Sequence, residues 1–167
     1  MNIMRSACFG CIAGSLFLFS LEPALADGRY LVLIAGCNDC HTPNWNETGG
    51  TVPQADWLTG TTIGFRGPWG TTYPSNLRLL VNELNEDAWV RMLHERKERP
   101  PMPWISTNNM TESDVRDIYR FIKSLGSTGT RMPVAVGPDV EPTTPYIVFE
   151  PQHLERLRPA LTSAPTE

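Results

Sequence analysis

The sequence predicts an all-α fold: three main helices, long ordered loops between them, and a Pro-rich tail. Three stretches place apolar residues at helical spacing, while the segments between them are rich in Gly, Pro, Thr and Asn and hold no sustained period. Prolines then crowd the C-terminal end, where seven of the last 35 residues are proline. A chain of 167 residues fits one ordinary domain.

Residues 1–26 read as a secretory signal rather than as part of the fold. A short start with Arg5 precedes the nearly uncharged run Ala7 to Leu21, and Pro23-Ala24-Leu25-Ala26 ends in the small-x-small form that signal peptidase accepts. About 15 apolar residues fall short of the roughly 20 that span a bilayer. The expected mature chain therefore begins at Asp27, has no membrane span, and works in the periplasm. Cys8 and Cys11 leave with the signal, so Cys37 and Cys40 are the cysteines that remain. A secreted domain stapled by disulfides would carry more of them, widely spaced.

The first helix is expected from about Asp27 to Cys40, with Tyr30, Leu33, Ile34 and Cys37 on its apolar face. Thr42 to Thr72 follows as a long ordered loop containing Trp45, Trp57 and Trp69. Asn85 caps the second helix, with Glu86 and Asp87 in its first turn and Trp89, Met92, Leu93 and Arg96 at helical spacing, and Pro100-Pro101 stops it. Thr111 caps the third, Asp114 stands three residues on, Val115, Ile118, Tyr119, Ile122 and Leu125 form the apolar face, and Gly126 ends it. These elements make a domain over residues 27–132, and residues 133–167 form the extended tail.

The charge excludes one class of function. With 14 Lys plus Arg against 18 Asp plus Glu, the formal charge is −4. A nucleic-acid binder needs a basic stripe to displace counterions from phosphates.

The chemistry lies in Cys37-Asn38-Asp39-Cys40-His41. Two thiols three positions apart at a helix end can both reach the vinyl groups of one porphyrin, and the next residue then holds its imidazole under the iron. A thioredoxin-like redox pair needs a βαβ context, which is missing. A zinc site needs a second ligand pair, whereas His94 and His153 stand isolated. Haem c attachment is the reading these residues favour. For the sixth iron ligand the strongest candidate is Met102, in Pro100-Pro101-Met102-Pro103, where flanking prolines stiffen the loop. Met92, Met110, Met132, His94 and an open site are its rivals.

In this order of parts the sequence resembles the class I c-type cytochromes, from about Asp27 to Gly126. Met102-Pro103-Trp104 and the run from Thr111 to Tyr119 are similar to the monohaem modules in cytochrome subunits of periplasmic dehydrogenases. The resemblance implies a cytochrome c-like fold around one covalent haem c, with Cys37 and Cys40 as thioether attachments, His41 as proximal and Met102 as distal ligand. It also implies that a carbonyl in the turn Pro74-Ser75-Asn76-Leu77 accepts the proximal imidazole's N–H. The family's helix-one glycine usually stands eight residues before the first cysteine; Arg29 holds that place here and Gly28 precedes it. Packing around the haem rim and the loop is expected of Trp45, Trp57 and Trp69. Arg66 and Arg78 are candidates to pair with haem propionates.

The expected function is one-electron transport, not catalysis: a carrier that takes electrons from a periplasmic dehydrogenase and passes them to an oxidase or another cytochrome. The acidic balance points to a partner with basic charge at its docking face. Two other readings stand beside it. One is a haem enzyme or gas-binding sensor with an open sixth position and the Trp-rich insert as pocket wall; the other is a subunit of a larger dehydrogenase, wrapped by the tail.

Overall fold

The computed structural model describes residues 27–97 and 99–156. The expected signal segment and the end of the tail lie outside the described residues. Among these described residues, six helices, a three-stranded sheet and two short 3-10 turns follow in chain order. The sheet is an addition to the expected all-α architecture.

The first helix breaks where continuity was expected. α1 covers Gly28–Ile34, with the Asp27 side chain accepting from the Arg29 N–H, and α2 covers Cys37–His41. Gly36 between them has φ +67°, the left-handed region that ends a helix most cheaply with glycine. The expected apolar face is also rotated. Tyr30 and Ile34 are 55% and 60% exposed, whereas Gly28, Leu31 and Val32 are buried. Gly28 sets that rotation, because a Cβ there would fall 2.1 Å from the Asp117 carbonyl oxygen. The missing side chain lets α1 lie directly on the backbone of α6, Glu112–Ser124.

α3, Leu77–Glu83, had not been expected. Asn76 caps it by accepting from the Leu79 N–H at 3.1 Å. The helices α4, Glu86–Glu95, and α6 follow the sequence pattern closely: Asn85 accepts from Ala88 and Thr111 from Asp114. Val115, Ile118, Tyr119 and Ile122 are buried as the period requires, and Gly126 at φ +74° follows the last turn. The short α5, Trp104–Asn108, lies between α4 and α6. Together with Trp57, Leu58, Val81 and Trp89 these faces form the apolar core.

The long Trp-rich loop holds regular structure. β1, Gly64–Gly67, and β2, Gly70–Thr72, form an antiparallel hairpin with Phe65 opposite Thr72. β3, Tyr146–Val148, joins β1 in parallel, giving the order β2-β1-β3. The described part of the tail is docked onto the hairpin and ends in the 3-10 turn Leu154–Arg156.

Candidate functional site

The break at Gly36 restarts the chain as α2 and places the Cys37-to-His41 motif on one helical turn and a half. Its end is fixed by hydrogen bonds from a distant segment. The His41 carbonyl accepts from the Gly60 N–H at 2.8 Å, and Thr42 Oγ1 accepts from the Leu58 N–H at 2.8 Å. That segment in turn holds the turn at residues 74–77, through Leu77 N–H to Leu58 O at 2.9 Å and Thr61 N–H to Pro74 O at 3.3 Å.

His41 is 8% exposed, and its Nδ1 lies 2.7 Å from the Ser75 carbonyl oxygen. A carbonyl has no proton to give, so Nδ1 carries it and donates. Burial pushes the imidazole below its usual pKa, more than the Ser75 carbonyl pulls it back up. The neutral ring therefore keeps its lone pair on Nε2, the atom a metal needs.

His41 opens into a cavity of about 910 Å³. Cys37 and Cys40 line it, as do Pro74, Ser75 and Leu77 on the same side. α4 contributes Trp89 and Leu93, α6 contributes Ile118, and the loop after α4 contributes Met102. The hairpin adds Phe65 and Trp69, and the docked tail adds Pro133, Val134 and Ala135. All four expected site residues, Cys37, Cys40, His41 and Met102, face this one space.

The rival sixth ligands divide. His94 and Met132 do not line the cavity, whereas Met92 on α4 and Met110 before α6 do. The propionate candidates Arg66 and Arg78 do not line it either; both guanidinium groups serve backbone carbonyls. The tryptophans of the insert also separate. Trp57 is 4% exposed, donates to Val52 O at 2.8 Å and meets Trp45 edge-on at 5.2 Å, so these two build the loop, while Trp69 reaches the cavity.

Cys37 and Cys40 form no disulfide with each other, and burial pushes the Cys37 thiol up to about 12 and raises that of Cys40. A dithiol redox pair works through a thiolate with a depressed pKa, so this environment opposes that use. The described residues hold no cluster of His, Cys, Asp and Glu able to bind a metal ion.

A haem fits what is present. The cavity is at the large end of the roughly 300–1,000 Å³ usual for cofactors, and most of its wall is aromatic and aliphatic. Three of its wall residues, Trp69, Trp89 and Trp104, have buried indole N–H groups with no acceptor among the described residues. Buried donors left unpaired are costly, and the propionate carboxylates of a haem are acceptors. The charged residues lining the cavity, among those described, are Arg96, Lys97 and Arg99, all opposite in sign to the net charge. Trp69 lines the cavity and Trp45 and Trp57 pack in the loop, where packing around the haem rim and loop was expected, whereas the unpaired indole donors and the tail's place at the cavity were not legible from motif spacing.

The family model described as Cytochrome c matches residues 25–126. No curated protein and no solved structure matches the chain.

Proposed function

The chain belongs to the cytochrome c family, binds haem c covalently and carries electrons, and from that premise we propose that His41 and Met102 are its axial iron ligands in the periplasm. The observation that supports this reading most is the shared cavity: His41, with Nδ1 occupied by Ser75, and Met102, in a loop bounded by prolines, both line it.

Haem c supplies a one-electron iron couple when bound. The protein's residues do the rest. Cys37 and Cys40 would anchor the group through thioether bonds, the Ser75 carbonyl fixes the His41 tautomer and would raise its donor strength, and Met102 would favour the ferrous state. Trp89, Leu93 and Ile118 give the site an apolar wall. With His41 and Met102 both holding the iron, the group would exchange electrons rather than catalyse a reaction at iron.

Residues 1–26 support export through a signal peptide, and no helix among the described residues is long and apolar enough to cross a membrane. In this reading the donor is a periplasmic dehydrogenase and the acceptor an oxidase or another cytochrome.

The test is an absorption spectrum of haem-loaded protein. The near-infrared band of iron–methionine ligation is expected in the wild type, in Met92→Ala and in Met110→Ala, and is expected to vanish in Met102→Ala. A band that survives in Met102→Ala would move the ligand to another methionine. A wild type that lacks the band and binds carbon monoxide readily would overturn the carrier reading.

A further inference from the structure

The family match ends at residue 126, yet the chain beyond it stays on the domain. Asn76 Nδ2 donates to Thr128 O at 2.8 Å and Thr130 O at 3.2 Å, which holds the irregular chain after α6 to the turn at residues 74–77. Pro133, Val134 and Ala135 then line that cavity. The next residues clasp the hairpin on both of its edges. Val136 exchanges two backbone hydrogen bonds of 3.0 Å with Thr71 on β2, and β3 pairs with the outer edge of β1.

Arg66 joins the two clasps. Its guanidinium donates to Thr71 Oγ1 at 3.2 Å, Val140 O at 2.9 Å and Pro138 O at 3.1 Å, and it lies over the Tyr146 ring at 5.5 Å. Its backbone carbonyl accepts from the Phe149 N–H at 2.7 Å, beside an edge-on contact of Phe149 with Phe65. The fit is close: Gly70 has φ +98°, and a Cβ there would stand 2.1 Å from the Val136 carbonyl oxygen. A two-stranded hairpin alone is marginal in water, so this third and fourth partner decide whether Phe65 and Trp69 stay at the cavity.

We propose that residues 133–135 are a wall of the haem cavity, held in place by the clasps of residues 127–149 on the domain, and that Arg66 is the positioning residue that secures those clasps, limiting access of water and external ligands to the haem. The inference rests on haem binding in this cavity and is independent of which methionine binds the iron. Excluding water disfavours the more highly charged ferric site, so an intact wall raises the reduction potential.

The experiment uses haem-loaded full-length protein carrying Arg66→Gln, Arg66→Lys or Phe149→Ser. Limited proteolysis reads the attachment of the segment, imidazole association with the ferric protein reads access, and the midpoint potential reads burial. Loss of the guanidinium fork is expected to speed cleavage within residues 127–149 and imidazole association by about tenfold each, with a lower potential and unchanged helix content. Arg66→Lys, which keeps a donor, is expected to fall between wild type and Arg66→Gln. Phe149→Ser loosens the same segment with the fork intact and serves if Arg66→Gln fails to fold. Faster cleavage with unchanged imidazole association and potential would overturn the wall; unchanged cleavage in Arg66→Gln would overturn the role of Arg66. None of these readouts uses the near-infrared band, so a failure of methionine ligation is seen separately.

Discussion

The His41 Nδ1–H donates to the carbonyl oxygen of Ser75 over 2.7 Å, across 34 residues of chain. The acceptor is backbone, so its position depends on what holds the turn and not on the serine side chain. Pro74 is buried on one side, and Asn76, 5% exposed, works on the other through three hydrogen bonds: one to the N-terminus of α3 and two to the chain after α6.

Ser75→Ala is therefore expected to leave both the spectrum and the stability unchanged. Asn76→Ala removes a helix cap and leaves the Thr128 and Thr130 carbonyls without that donor, and is expected to cost about 2 kcal/mol in denaturant unfolding. Equal stability of the two variants would mean that the turn is held by Pro74 and the segment at residues 58–61 alone.

Gly28 gives a sharper prediction. A Cβ there meets the Asp117 carbonyl and the Phe121 Cβ at 2.1 and 2.8 Å, both too close to be relieved by a rotamer change. Gly28→Ala must push α1 away from α6 and is expected to cost about 3 kcal/mol or more. Arg29→Ala, one residue on, removes only an exposed hydrogen bond to Gln54 and a contact over Trp57. A loss well under 1 kcal/mol is expected there, and unfolding midpoints of the two variants would compare them.

These residues also show where the sequence was legible. α4 and α6 could be read because Asn85, Thr111 and Gly126 mark their ends and the buried residues keep the helical period. The face of α1 could not, because the contact that orients it is made by an absent side chain, and the apolar residues Tyr30 and Ile34 point the period the wrong way. The hairpin was hidden for another reason: its strands have four and three residues, with glycine at Gly64, Gly67 and Gly70, and its outer partners lie more than 60 residues further on. The same division runs through the site. Cys37, Cys40 and His41 are set by local spacing, and Met102 by its prolines. Trp69 and the wall at residues 133–135 come to the cavity through non-local pairing that leaves no periodic mark.

Arg78 is 6% exposed and has no carboxylate partner in hydrogen-bond contact among the described residues. Its guanidinium donates instead to the carbonyls of Gly126, at 2.6 Å, Leu125 and Ala55. Two of these end α6, where the helix dipole is negative and the last carbonyls lack partners. Arg78→Met keeps most of the apolar stem and removes every donor, so it is expected to cost about 2–4 kcal/mol. Arg78→Lys is expected to recover only part, since one ammonium cannot reach three carbonyls as the planar fork does. Full recovery in denaturant unfolding would reduce the role of Arg78 to its charge.

Trp69 and Trp104 lead to a prediction about the reduction potential. Their indole N–H groups are buried at the cavity and donate to no atom of the described residues. If a propionate carboxylate accepts from either, the donor offsets part of a negative charge that otherwise favours ferric iron. Trp69→Phe and Trp104→Phe keep a ring in place but remove the donor. The variant that loses such a bond is expected to show a lower midpoint potential, an upward shift in the pH at which the potential changes slope, and a stability loss of about 1.5–3 kcal/mol. Burial of an unpaired N–H predicts the opposite sign for stability: phenylalanine would then be neutral or stabilising, with the potential unmoved. Titrating the potential of haem-loaded wild type and both variants against pH separates the two outcomes for each tryptophan.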